Sequence, residues 1–285
     1  IKGLLNANVL EVAFRQLVMR HEILRTVYRD HDGAGYQYVL DPSAWKMGRL
    51  LGENIRGNMS DHISKLIDRP FDLSLDYMLR ADLIEVNNQD FHLVLTVHHI
   101  AVDAWSWSIF ARELSVLYNS CLHDEIADLP PLEFQYGDYA QWQRDYLGEE
   151  LLGDKMVYWE EKLQGTVPLE LPIDYARPNI PSRIGGTETL HFDMELYQEL
   201  QVMVKKREVT LFMLCLATFK VLLYRYSGQK DISIGTPIAG RSQAETEDMI
   251  GFFINTLVLR SHVDDSSSFL EFLQQVKETT LSVYE

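Results

Sequence analysis

The chain has 285 residues, 46% of them hydrophobic and 24% charged, with a net charge of −16 at pH 7. That length supports one large domain or two smaller lobes, each with a core, and the composition is that of an ordinary globular protein. The acidic balance, without a long Lys/Arg cluster, argues against nucleic acid and against an anionic membrane surface as partners.

The chain opens Ile-Lys-Gly-Leu-Leu, with no signal-peptide pattern and no starting Met, and so reads as a piece excised from something longer. Residues 8–19 carry Val9, Leu10, Val12, Ala13, Leu17 and Val18 at helical spacing. Residues 23–28 and 36–40 read as strands around the turn Asp30-His31-Asp32-Gly33, and Ser60 as the cap of a short helix through Ile67. Residues 77–86 and 91–97 form a hairpin pattern across Asn87-Asn88-Gln89-Asp90. Helical patterns follow over 105–122, 136–146 and 149–163.

The stretch 167–186 holds Pro168, Pro172, Pro178, Pro181, Gly185 and Gly186, which is linker chemistry and the best boundary candidate. Beyond it the pattern gives a strand (188–192), helices (196–207 and 210–226), a strand (231–235), an irregular segment (236–251), a strand (252–259) and a closing helix (267–284). The most apolar run, 211–226, is interrupted by Lys220 and Arg225 and falls short of the about 20 residues a bilayer span needs, so it reads as a core helix. Cys121 and Cys215 match no metal spacing and read as reduced packing residues of a cytoplasmic protein. The expectation is an α/β (α+β) fold with an N-terminal lobe over 1–175 and a C-terminal lobe over 176–285.

The most informative segment is His98-His99-Ile100-Ala101-Val102-Asp103-Ala104-Trp105-Ser106. It leaves a strand with the composition of a buried one and enters a helix. Neighbouring residues of an extended chain point to opposite sides, so one imidazole is free for chemistry while the other packs or hydrogen-bonds locally. A neutral imidazole can take a proton from an attacking amine or hydroxyl, or orient it. Asp103 could equally be the N-cap of the following helix. No Gly-x-Ser-x-Gly elbow is present and no Cys accompanies the motif, so direct attack on an activated acyl group fits better than a covalent acyl-enzyme. Tyr136, Tyr139 and Trp142 read as a helix face in the core.

Four further segments accompany it in order: Arg20-His21-Glu22-Ile23-Leu24-Arg25-Thr26, Tyr136-Gly137-Asp138-Tyr139-Ala140-Gln141-Trp142-Gln143, Gly235-Thr236-Pro237-Ile238-Ala239-Gly240-Arg241, and residues 251–260, Gly-Phe-Phe-Ile-Asn-Thr-Leu-Val-Leu-Arg. From Lys2 to Tyr284 the set resembles the condensation domains of nonribosomal peptide synthetases. The resemblance implies two chloramphenicol-acetyltransferase-like lobes in a V, with a tunnel between them. It implies His99 as the catalytic residue and His98 as structural. Asp103 would hold the motif loop by pairing with Arg241, and Arg25 would support the site. Ala104, Trp105, Ser106 and Asn255 would lie along the substrate tunnel.

It implies further that the domain joins a donor aminoacyl or peptidyl thioester, L-configured, to an acceptor aminoacyl thioester. Both would ride on the phosphopantetheine arms of upstream and downstream carrier domains, beside an adenylation domain, with no metal and no cofactor bound by the domain itself. His99 would act as general base or as orienter and charge stabiliser. Rival readings are an epimerisation domain, an acyltransferase using coenzyme A or another acyl carrier, and a non-catalytic docking domain. Two departures stand out. Ala104 occupies a position where the family has Gly, and the family's opening and closing motifs fall outside the sequence, which reads as truncated at both ends.

Overall fold

The computed structural model describes residues 1–55, 58–180, 185–241 and 243–284. They fall into two units. The first comprises Ile1–Leu151 and Ala239–Ile254, the second Leu152–Ile238 and Asn255–Glu285.

The first unit opens with helix α1 (Ala7–Arg20), whose N-terminal amides of Asn8 and Val9 donate to the Asn6 side chain at 3.1 and 3.2 Å. A strand was expected from residue 23, but residues 22–25 form a 3₁₀ turn, and strand β1 (Thr26–His31) begins after it. β1 pairs with β2 (Ala34–Val39) through a two-residue turn. Asp32 and Gly33 there have φ of 54° and 79°, the positive values such hairpin turns require. Next comes β3 (Gly48–Leu51), which the sequence pattern did not signal, and then α2 (Met59–Ile67). The α2 cap is Asn58, whose side chain accepts the Ser60 amide at 3.0 Å, so Ser60 is the capped residue rather than the cap.

β4 (Leu79–Asn87) and β5 (Asp90–Val97) form the expected hairpin, and β3 joins β4 in parallel to complete a three-stranded sheet. Helix α3 (Ser106–Leu122) packs on α1, with Phe14 meeting Phe110 at 6.2 Å and Trp45 at 5.7 Å. Their apolar faces form one core with the buried residues of β4. Helix α4 (Tyr136–Tyr146) follows, and α5 (Glu149–Leu163) runs into the second unit.

The early Arg-His-Glu motif ties this unit together. Glu113 on α3 is 1% exposed and accepts from Arg20 Nε at 2.9 Å, while His21 Nε2 lies 2.7 Å from the same carboxylate oxygen. Burial pushes the Glu113 carboxyl up. The hydrogen bonds and charges of His21 and Arg20 outweigh that and hold it below its ordinary range. The Gln135 side chain donates to the Arg20 carbonyl and accepts the Glu22 amide, at 3.0 and 3.1 Å.

In the second unit, residues 181–184 of the boundary segment, Pro181 included, lie outside the described residues. Residues 188–192, expected as a strand, are irregular. No strand lies alongside them among the described residues, and Leu190 and Phe192 are exposed, so alternation alone leaves their amides without a ladder. Helices α6 (Met194–Arg207) and α7 (Leu211–Ser227), the antiparallel pair β6 (Asp231–Ile238) and β7 (Asn255–His262), and α8 (Phe269–Tyr284) share the second core. β7 begins three residues later than expected, because 252–254 belong to the first unit.

Arg260 pairs with Asp231 at 2.7 Å and donates to the carbonyls of Lys162 and Gln164. Lys220, inside α7, is wholly buried. Its ammonium donates to Ser261 Oγ at 2.7 Å, and burial pushes it down to about 8. Among the described residues no single helix is long and apolar enough to cross a membrane.

Candidate active site

β5 ends at Val97, and residues 98–101 turn before α3 starts at Ser106. The two imidazoles part at this turn. His98 is half-buried, its amide donates to the Met78 carbonyl at 3.0 Å, and its ring meets Phe71 edge to face at 5.5 Å. Its Nδ1 accepts the Ile100 amide at 3.1 Å and therefore carries no proton. Burial, and then the neighbouring His99, lowers its pKa.

His99 is exposed, and its Nδ1 lies 2.7 Å from the Val102 carbonyl. A carbonyl only accepts, so Nδ1 carries the proton. In the neutral ring Nε2 then presents a lone pair, and no side chain or backbone group among the described residues bonds to it. The Phe252 ring stands edge to face against the imidazole, with centroids 5.2 Å apart and planes at 83°.

Behind the imidazole lies a buried polar network. Asp103 is 2% exposed and the Arg241 side chain 3%. Arg241 Nη2 donates to Asp103 Oδ1 at 3.1 Å, to Oδ2 at 3.2 Å and to Ser106 Oγ at 3.0 Å. Arg241 Nη1 donates to the carbonyls of Thr246 and Met249, and the guanidinium lies 4.0 Å from the centroid of the Phe253 ring. Asp103 Oδ1 also accepts the Ser106 amide at 2.9 Å, and Oδ2 the Phe253 amide at 3.3 Å. Burial drives the Asp103 carboxyl up. The Ser106 hydroxyl and amide and the Arg241 charge more than offset that and hold it below the usual carboxylate range.

Ser106 differs from its sequence expectation. It was placed along a substrate passage, but it is wholly buried. Its hydroxyl lies 2.7 Å from Asp103 Oδ1 and 2.9 Å from the Gly251 carbonyl, with one proton to share between them, and accepts the Gly251 amide at 3.1 Å. Its work is to join the motif loop to residues 251–253.

Ala104 and Trp105 are exposed, and Trp105 Nε1 donates to the Glu247 carbonyl at 3.1 Å. Arg25 donates to the Leu40 carbonyl at 2.6 Å and to Glu22 at 3.2 Å, holding the end of β2, and among the described residues none of its hydrogen bonds reaches the 98–106 motif. Asn255 heads β7 in the second unit, and its side chain accepts the Thr256 amide at 2.8 Å.

Sequence reasoning gave no role to Gly251, Phe252 or Phe253 and treated Tyr136, Tyr139 and Trp142 as core. Tyr136 and Tyr139 are half-buried and pack on Phe253 at 5.3 and 4.7 Å, whereas Trp142 is 40% exposed. The signal that could have found them was the adjacency of Phe252 and Phe253 to a glycine in a motif the sequence already singled out. Trp142 and Tyr139, with Phe134, Asp138, Gln243, Glu245, Thr246 and Met249, line a cavity of about 340 Å³. No group of three or more His, Cys, Asp or Glu among the described residues is arranged to hold a metal ion. The arrangement supplies an exposed imidazole on a loop braced by buried hydrogen bonds, with Nε2 suited to accepting a proton or a hydrogen bond from a nucleophile.

The family model for the Condensation domain matches residues 1–285. The chain is 36% identical to a dimodular nonribosomal peptide synthase of Bacillus subtilis (strain 168) over 291 residues, covering 100% of this chain and 12% of that protein, so it spans a small part of such a relative. It superposes with a TM-score of 0.90 on a solved chain from the complex of the X-domain and OxyB of teicoplanin biosynthesis, at 29% identity, covering 99% of this chain and 63% of that one. The epimerization domain from the third module of tyrocidine synthetase B superposes with a TM-score of 0.83 at 21% identity, covering 99% of this chain and 65% of that one, a likeness of fold.

Proposed function

The chain belongs to the condensation-domain family, and from that premise we propose that it forms an amide bond between two carrier-bound thioesters. The acceptor's free amine attacks the donor's thioester carbonyl. A C–N bond forms, the C–S bond breaks, and the proton lost by the amine ends on the released thiol. Both acyl groups ride on phosphopantetheine of carrier domains, upstream for the donor and downstream for the acceptor, in a synthetase that also holds an adenylation domain. The Arg20-His21-Glu22 and Gly251–Thr256 segments favour condensation over epimerisation, and the resemblance within the condensation group favours an L-configured donor. Ala104 in place of glycine adds one methyl at an exposed position and alters donor access without removing the reaction.

The observation that carries this reading is His99: an exposed imidazole with Nδ1–H bound to the Val102 carbonyl and, among the described residues, no hydrogen-bond partner at Nε2. Nε2 accepts a hydrogen bond from the attacking amine, orients it, and stabilises the charged adduct. An α-amino group titrates near 8, so a useful unprotonated fraction exists without a strong base. Orientation supplies about 7–11 kcal/mol and a positioned base about 10²–10⁴-fold.

The test is to load a donor and an acceptor carrier with aminoacyl groups and follow dipeptidyl thioester by intact-protein mass spectrometry. Wild type yields product, and more from an L- than a D-configured donor. His99→Ala slows product formation at least about 10²-fold and melts with wild type, since the ring is exposed. A folded His99→Ala variant turning over at the wild-type rate refutes the assignment. Inversion of the donor α-carbon without condensation assigns epimerisation instead.

A further inference from the structure

We propose that Phe252 and Tyr136 are positioning residues for His99, an inference that rests on the amide-forming role given to His99 above. Three consecutive residues carry the argument. Asp103 N donates to the Gly251 carbonyl at 3.1 Å, and the Gly251 amide donates to Ser106 Oγ at 3.1 Å. The Phe253 amide donates to Asp103 Oδ2 at 3.3 Å. Between them, the Phe252 carbonyl accepts the Tyr136 hydroxyl at 2.7 Å.

The backbone on either side of Phe252 is thus held by the motif loop, and Phe252 itself by α4. Gly251 permits this approach, because a Cβ there would run into the rings of Tyr136 and Phe253. Burial pushes the Tyr136 hydroxyl up to about 12, so it remains a proton donor at working pH.

The braced residue presents its ring to the imidazole. Among the described residues the His99 ring has one hydrogen bond, from Nδ1–H to Val102, so a single hydrogen bond opposes rotation about Cβ–Cγ. The Phe252 ring, 5.2 Å away and nearly perpendicular, lies against the imidazole and resists that rotation. Together they keep the protonated nitrogen on the carbonyl and the lone-pair nitrogen toward solvent. Without the ring, the imidazole would sample rotamers and tautomers in which Nε2 is misdirected. A misplacement of this kind acts on turnover rather than on binding.

The test uses Phe252→Leu, Tyr136→Phe and Phe252→Tyr in the ¹⁵N-histidine-labelled chain, with His99→Gln to assign the His99 signals. In wild type the ¹⁵N shifts report a proton on Nδ1. Phe252→Leu moves them toward a tautomer mixture and lowers turnover about tenfold, with KM for both loaded carriers unchanged. Tyr136→Phe moves both readouts the same way by less, and Phe252→Tyr, which keeps an aromatic ring, leaves both at their wild-type values. Unchanged His99 shifts in a folded Phe252→Leu variant overturn the proposal, as does a rise in KM at constant turnover. If wild type forms no amide, the functional reading fails, while the ¹⁵N shifts still decide the positioning role.

Discussion

Removing the Asp103 carboxylate should destabilise the protein well beyond the loss of one surface ion pair. In Asp103→Asn the Arg241 guanidinium, 3% exposed, keeps its charge and loses its counter-ion. Breaking a buried pair from one side costs about 3–5 kcal/mol, because the stranded charge has no water to return to. The asparagine also loses one acceptor oxygen among those serving Ser106, Phe253 and Arg241. A domain of this size shifts by about 2–4 °C per kcal/mol, so Tm falls by about 6–20 °C. Arg241→Met should cost a similar amount by stranding the carboxylate. The double variant Asp103→Leu/Arg241→Met should melt closer to wild type than the two single losses summed, with a coupling of at least about 2 kcal/mol. Scanning calorimetry with a double-mutant cycle reads all three. An inactive Asp103→Asn that melts within about 1 °C of wild type, or single losses that simply add, would refute the bracing role of this pair.

Two other buried groups predict stability that rises with pH, in separate windows and for different reasons. Glu113 is held below its ordinary value by His21 and Arg20, so its contribution is complete above the unfolded carboxylate range near about 4.3 and is lost as pH falls through the lower folded value. Glu113→Gln should flatten that acid limb in denaturant titrations between pH 2 and 5, and an unchanged limb would exclude Glu113 as its source. Lys220 gives the same sign at higher pH, although its burial costs stability where Glu113 contributes it: its folded value of about 8 lies below the about 10.4 of a free lysine, so between the two the unfolded chain holds a proton that the folded chain has released. Stability should therefore rise across that window by about 3 kcal/mol, and Lys220→Met should abolish the rise while stabilising the protein at pH 7. Parallel pH dependences in the two proteins would show that the lysine stays charged in the fold.

Much of the first unit was legible because its signals are local. The apolar spacing of α1 and α3, the β4–β5 hairpin and the ordering of five motifs need no knowledge of what packs against them. The misses have non-local causes. β3 is four residues long, and its ladder among the described residues is a parallel one with Gly48 opposite Asp82, which nothing near residue 48 announces. Residues 188–192 alternate as a strand should, but a strand exists only where another backbone completes its hydrogen bonds. Ile23 and Leu24 open an apolar run that reads as a strand, yet the Thr26 hydroxyl donates to the Glu22 carbonyl at 2.8 Å and residues 22–25 curl into a 3₁₀ turn that delivers Arg20 and His21 to Glu113.

The Asp103 ambiguity shows why the site itself was harder to read than the fold. A helix cap and a buried ion pair are competing explanations of one aspartate on paper, since each would satisfy the carboxylate. In the fold they coexist, because a carboxylate has more acceptor sites than either role uses: Oδ1 takes the Ser106 amide and shares Arg241 with Oδ2, which also takes Phe253. The partners come from residues 241–253, flanked by strands of the second unit yet belonging to the first. The braced loop thus depends on a segment more than a hundred residues downstream, with Arg241 and Asp103 separated by 138 positions. Residues 1–151 alone would hold His99 and its Val102 carbonyl but would leave Asp103 uncompensated and the imidazole without the Phe252 ring. For that reason the 98–106 motif, however clear in sequence, becomes a site only when the excursion between β6 and β7 folds onto it.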